Sequence, residues 1–107
     1  MHISAQFDAG NILVRDAADP QNIRLEIRKD KDSDFYQWFH FKVAGAKGQA
    51  CRFVIENAGG AAYTQGWPGY RACVSSDREV WERAETAYED GALIISLTPQ
   101  TDAVWIA

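Results

Sequence analysis

The chain is poor in the residues that most site chemistries need. It holds two cysteines, two histidines, one methionine and three prolines in 107 residues. Cys51 and Cys73 are too few for a disulfide framework or for a structural zinc site, and neither sits beside a histidine in a nucleophile signature. They read as two small hydrophobes on strands. His2 and His40 stand apart, and the chain contains no His-Glu-x-x-His, no Cys-x-x-Cys and no Gly-x-Ser-x-Gly. No apolar run approaches the roughly 20 residues that span a bilayer. Met1-His2-Ile3-Ser4 lacks the basic and apolar regions of a secretion signal, so a cytoplasmic location is expected. Positive charge is also scarce: 11 Lys and Arg against 15 Asp and Glu give −4, without a basic cluster, which argues against nucleic acid as a partner.

What is present is aromatic and aliphatic. Hydrophobic residues make up 47% of the chain and thirteen are aromatic, enough for one core in one domain and too many for disorder. Alternation with period two dominates. Ile23, Leu25 and Ile27 alternate with Arg24, Glu26 and Arg28, which is the pattern of a half-buried strand. Phe39, Phe41 and Val43, then Cys51, Phe53 and Ile55, then Leu93, Ile95 and Leu97 repeat it. Weaker strands are expected at residues 3–7, 11–15, 71–76, 80–83 and 103–106. About nine short strands at this spacing predict an all-β fold, an antiparallel β-sandwich with Leu25, Ile27, Phe39, Phe41, Phe53, Ile55 and Ile95 in its core.

Turn chemistry separates the strands. Asp8-Ala9-Gly10-Asn11, Asp19-Pro20-Gln21-Asn22, Glu89-Asp90-Gly91 and Thr98-Pro99-Gln100 read as turns. Gly45-Ala46-Lys47-Gly48 joins two strong strands and predicts an antiparallel hairpin. Residues 76–87 contain helix formers but no apolar stripe, so a strand around Trp81 is preferred. Asp30, Asp32 and Asp34 alternate like the start of a calcium loop but lack its glycine and terminal glutamate, and read as a solvated acidic turn. Asp77, after Ser75 and Ser76, reads as a turn-holding residue.

Residues 58–69 carry four glycines and a proline and form a loop, long for a compact domain. Trp67 and Tyr70 lie in or beside it. Trp38, Trp67, Tyr70 and Trp81 cannot all share one core face with the aliphatics. Three readings follow, in this order: a loop anchored over the core by its own tryptophan, a patch covered by a neighbouring domain, and an aromatic platform for a sugar or peptide. The last of these makes a free-standing carbohydrate- or peptide-binding module the alternative function. A hydrolase using acidic residues such as Asp32 and Asp34 ranks well behind both.

An ordered set of motifs carries a resemblance over essentially the whole chain. Trp38-Phe39-His40-Phe41-Lys42-Val43-Ala44-Gly45, Val54-Ile55-Glu56-Asn57, Gly66-Trp67-Pro68-Gly69-Tyr70 and Ser75-Ser76-Asp77-Arg78-Glu79-Val80-Trp81-Glu82-Arg83 follow one another. The opening, His2-Ile3-Ser4 and then Gly10-Asn11-Ile12, belongs to the same set. The chain resembles the N-terminal domain that precedes the catalytic domain in cytosolic carboxypeptidase-like zinc peptidases of the bacterial branch. The resemblance implies a β-sandwich of about nine strands attached to an enzyme that removes C-terminal residues from peptides or proteins. In that family the following domain supplies a His-x-x-Glu pair and a distant histidine to zinc, with a glutamate as general base. None of those residues occurs here, so no catalytic, cofactor or metal-binding residue is expected in residues 1–107, and zinc is expected only in a downstream domain. Val104-Trp105-Ile106-Ala107 is expected to continue into that domain. The partners implied are the chain's own peptidase domain or further copies of the protein. Trp67, Tyr70 and Arg71 are the candidate contacts with the peptidase domain or the rim of its substrate cleft.

Overall fold

The computed structural model describes residues 1–7, 10–29 and 36–107. The acidic alternation at Asp30, Asp32 and Asp34 lies outside them, as do Asp8 and Ala9 of the first turn. Ten strands are present among the described residues: β1 (His2–Ser4), β2 (Leu13–Asp16), β3 (Ile23–Glu26), β4 (Phe41–Ala44), β5 (Cys51–Ile55), β6 (Cys73–Ser75), β7 (Glu82–Arg83), β8 (Glu85–Glu89), β9 (Ala92–Leu97) and β10 (Ala103–Ile106). They form two five-stranded sheets, β1-β4-β10-β6-β7 and β2-β3-β5-β9-β8. The expected β-sandwich is therefore present, and all seven predicted core residues are buried.

The inward stripes explain the layering. Ile23 and Leu25 of β3, Phe53 and Ile55 of β5, and Leu93 and Ile95 of β9 come from one sheet, while Phe41 and Val43 of β4 and Val104 and Ile106 of β10 come from the other. Alternate residues of a strand face opposite sides, so each stripe meets the stripe of the opposing sheet. Phe41 and Phe53 touch across the layers with ring centroids 5.6 Å apart.

Three sequence expectations change. The Gly45–Gly48 turn does not close a hairpin. It carries the chain from the first sheet to the second, because β4 pairs with β1 and β10 whereas β5 pairs with β3 and β9. Gly45 and Gly48 sit at φ +76° and +78°, which only glycine adopts without strain, and this bends the chain out of the plane of the first sheet. The Gly45 and Gly48 amides donate to the carbonyls of Asp102 and Pro99, both at 2.8 Å, so the crossing is sewn to the return crossing between β9 and β10. Secondly, β3 and β5 run parallel, with Ile23 opposite Phe53 and Leu25 opposite Ile55, a pairing that local alternation cannot reveal. Thirdly, the strand expected around Trp81 shrinks to Glu82–Arg83, and a further strand, β8, follows it. Asp90 and Gly91 both adopt positive φ in the two-residue turn between β8 and β9, the type I′ hairpin signature.

The thiols behave as expected of small hydrophobes. Cys51 is buried, Cys73 is half-buried, and both are free. Burial pushes the Cys51 thiol up from its ordinary value. Asp77 holds its turn as anticipated. Its Oδ1 accepts from the amides of Glu79 (2.9 Å) and Val80 (3.0 Å) and from the Ser75 hydroxyl (3.0 Å). Those donors stabilise the charged form, chiefly the Val80 and Glu79 amides, and hold the carboxyl below its usual range.

Candidate functional site

The loop at residues 58–69 is short of regular structure but not of fixings. Two single turns of 3₁₀ helix, Ala58–Gly60 and Thr64–Gly66, break it up. Asn57 enters the loop as a substitute strand: its side chain accepts from the Ile27 amide (2.8 Å) and donates to the Ile27 carbonyl (2.9 Å). Gly59 lies so close to Gly91 that a Cβ there would stand 2.8 Å from its Cα, and the Gly59 amide donates to the Gly91 carbonyl at 2.7 Å. These two glycines permit backbone-to-backbone contact between the loop and the β8–β9 turn.

A second segment, residues 36–39, runs along the other side of the loop. The Tyr36 hydroxyl donates to the Asn57 carbonyl at 2.8 Å, and the Ala62 amide donates to the Tyr36 carbonyl at 2.8 Å. Gln37 brackets Tyr63, accepting from its amide (2.7 Å) and donating to its carbonyl (3.0 Å). No feature of the sequence marks Gln37 or Tyr36 for these roles, since a polar side chain acting as a strand edge leaves no periodicity.

Trp67 closes the loop on the core. It is only 4% exposed, and its indole Nε1 donates to the Ala58 carbonyl at 2.8 Å. Of the three readings of the loop aromatics, anchoring holds for Trp67. Phe39, Trp67 and Tyr70 form a triangle, with centroids 6.2 Å apart for Phe39–Trp67, 5.6 Å for Trp67–Tyr70 and 6.2 Å for Phe39–Tyr70. Both contacts of Tyr70 are edge-on, the arrangement favoured by ring quadrupoles.

That triangle floors a groove of about 350 Å³, whose walls add Gln37, Trp38, Tyr63 and Gly66. Trp38, 82% exposed, and Tyr63, 59% exposed, stand at its rim. Of the three candidate contact residues, Trp67 and Tyr70 come together in this groove, while Arg71 lies just beyond it, exposed, with its carbonyl accepting from Arg83 Nη1 at 2.9 Å. Burial pushes the Tyr70 hydroxyl up; Cys73 adds to the rise and Arg83 opposes it. Tyr70 is therefore a neutral hydroxyl near neutral pH. A second cleft of similar volume lies between β6 and residues 97–101 and contains none of the predicted site residues.

The groove presents rings and amides, with no nucleophile beside a base. Its chemistry suits the reception of a flat or apolar group. Among the described residues, no three His, Cys, Asp or Glu side chains are gathered as a metal site, and no helix is long and apolar enough to cross a membrane. The other aromatic cluster faces outward from the first sheet. His40 meets Phe7 edge-on at 4.9 Å and Trp81 at 6.0 Å, and Arg78 lies over the Trp105 ring at 5.2 Å.

Comparison with known proteins extends these observations. The family described as Cytosolic carboxypeptidase N-terminal domain matches residues 3–107. An uncharacterized protein of Zymomonas mobilis is 50% identical over 107 residues, covering all of this chain and 28% of that protein. A metallo-carboxypeptidase from Pseudomonas aeruginosa, solved in complex with (2-guanidinoethylmercapto)succinic acid, is 46% identical with a TM-score of 0.95; the match covers 99% of this chain and 28% of the other. A metallo-carboxypeptidase from Burkholderia cenocepacia is 39% identical, also with a TM-score of 0.95, over 98% of this chain and 28% of its own length. The chain therefore spans little more than a quarter of the relatives it matches.

Proposed function

The chain belongs to the cytosolic carboxypeptidase N-terminal domain family, and from that premise we propose that it is the non-catalytic companion of a zinc peptidase domain. The composite enzyme removes C-terminal residues from peptides or proteins in the cytosol. Residues 1–107 pack on the peptidase domain and shape access to its cleft. The observation that carries this reading is the match of 98–99% of the chain to 28% of two metallo-carboxypeptidases at a TM-score of 0.95. In such an arrangement the hydrolytic zinc and its general base reside in the other domain. The groove beside Tyr70, with exposed Trp38 and Tyr63 at its rim, supports an interdomain role for this end of the sandwich. Large exposed rings grouped at one end are what a covering domain would bury.

The test is a chimera. This chain replaces the corresponding domain of the Pseudomonas aeruginosa metallo-carboxypeptidase, and release of C-terminal residues from peptides is measured. The chimera is expected to be active and the 107-residue chain alone inactive. Tyr70→Ala with Arg71→Glu lowers the chimera's activity or its thermal midpoint by more than it lowers the midpoint of the isolated chain. Peptide hydrolysis by the isolated chain, or no difference between the two contexts, overturns the proposal. A second reading, a free-standing ligand-binding module, draws on the same exposed Trp38 and Tyr63; saturable quenching of tryptophan fluorescence by a glycan series would favour it.

A further inference from the structure

We infer that the groove beside Trp67 and Tyr70 is the slot for the next residues of strand β10, so that the polypeptide leaving residue 107 is itself the groove's occupant. The inference rests on the family reading only in that polypeptide follows residue 107, and it deepens that reading by giving a register.

The argument begins with hydrogen-bond direction. Along an antiparallel strand, successive residues point their N–H and C=O groups to opposite edges. His40 exchanges both of its backbone bonds with Asn11, at 2.8 and 3.1 Å. Its neighbours Phe39 and Phe41 therefore face the other edge, the one β10 occupies. Phe41 is opposite Ile106 there. Phe39 has no such partner: among the described residues, nothing bonds to its N–H or its C=O, although the residue is only 5% exposed. Buried backbone groups are rarely left so, because each unmade bond costs free energy.

The register of β10 leads to this gap. Trp105 and Ile106 are opposite Lys42 and Phe41 on one side, and opposite Ser75 and Val74 on the other. Ala107 continues the ladder, exchanging bonds of 2.7 and 2.9 Å with Cys73. One step further sets position 108 opposite Phe39, with its backbone groups aimed at the open amide and carbonyl. The next step sets position 109 between Trp38 and Arg71, the exposed residue singled out in the sequence.

Side-chain direction agrees. Val104 and Ile106 point inward and are buried, so position 108 points inward as well. The space it would enter is the groove of about 350 Å³ floored by Phe39, Trp67 and Tyr70. Strand continuation thus satisfies two observations at once, the unbonded backbone of a buried residue and an apolar hollow lined with rings. The predicted side chain at position 108 is large and apolar or aromatic.

The experiment compares the 107-residue chain with the same chain lengthened by six residues, copied from those that follow the matched region in the Zymomonas mobilis relative. Amide hydrogen exchange and the Trp67 indole resonance are followed by NMR. In the lengthened chain the Phe39 amide is expected to exchange at least tenfold more slowly and the Trp67 resonance to shift. Proline placed at position 108 removes the N–H that the Phe39 carbonyl would accept and is expected to return both signals toward those of the shorter chain. Equal Phe39 exchange in the two chains overturns the inference, as does protection that survives the proline. Protection that appears in the 107-residue chain only as its concentration rises also overturns it, by assigning the slot to a second copy. The lengthened chain carries no peptidase domain, so its result is independent of the chimera assay that tests the functional reading.

Discussion

The first sheet has two ends, and they are finished differently. At the Ala44–Ala103 end, two crossings between the sheets lie side by side, and the Gly45 and Gly48 amides bond the carbonyls of Asp102 and Pro99. Both glycine amides leave the ladder there and still find partners within four residues' reach. At the Phe41–Ile106 end, the neighbouring segment 36–39 is held by Tyr36, Gln37 and Asn11, yet the Phe39 backbone edge stays open among the described residues. The contrast teaches that one sheet can be finished in two ways, by bonds between its crossings at one end and by a single buried tryptophan beside an open backbone edge at the other. A closed end is bonded inward; the other end keeps its core shut with one tryptophan and leaves a strand-wide place beside it.

The largest effect should come from that tryptophan. Trp67→Ala is expected to destabilise the domain by about 3–5 kcal/mol, the range for removing a buried large aromatic, and Trp38→Ala by no more than about 0.5 kcal/mol in the isolated chain. Urea denaturation followed by circular dichroism would measure both. If the two substitutions cost the same, the loop is not anchored as described and the comparison of the two ends loses its basis. A smaller effect is expected at the closed end. A Cβ on Gly48 meets nothing within 4 Å, so Gly48→Ala tests backbone strain alone at φ +78°. It should cost about 1–2 kcal/mol. A neutral result would mean that the crossing relaxes easily and that its bond to Pro99 is not fixing the end.

These residues also mark how far sequence could lead. The inward stripes at Ile23–Leu25, Phe53–Ile55 and Leu93–Ile95 were legible because period-two burial is a local property of the chain. The pairing of those strands was not. Gly45 and Gly48 read as a hairpin because glycine turns between apolar runs commonly close one, whereas here the same positive φ values redirect the chain into the opposite sheet. Strand β8 carries no strong apolar stripe in the sequence because it is an edge strand whose alternating residues, Glu85, Ala87 and Glu89, are exposed. Of the candidate site, Trp67 and Tyr70 stood out by their placement in a glycine-rich loop. Phe39 passed for a plain core residue, and its importance lies in backbone bonds that it does not make, a property written in the register of β10 and not in any motif.

The smallest expected effect probes the open end by titration. Burial raises the Tyr70 hydroxyl above the ordinary value of 10.0. The sign follows from linkage. Well below pH 10.0 the phenol is protonated in folded and unfolded chains alike, and its contribution to stability is fully present. As pH rises past that value, the unfolded chain ionises first, so unfolding becomes favoured until the folded hydroxyl also loses its proton. Denaturation midpoints should therefore decline with alkali less steeply in Tyr70→Phe than in the parent. Tyr36 is raised too, mainly by burial and then by Glu26, so the comparison is made in a Tyr36→Phe background. Parallel alkaline slopes would mean that Tyr70 is as wet as a surface tyrosine and that the groove is open to solvent down to its floor. Lengthening the chain past Ala107 sharpens the test: covering the groove deepens the burial of Tyr70 and moves its titration further upward, whereas a closed-end substitution such as Gly48→Ala leaves that titration where it was.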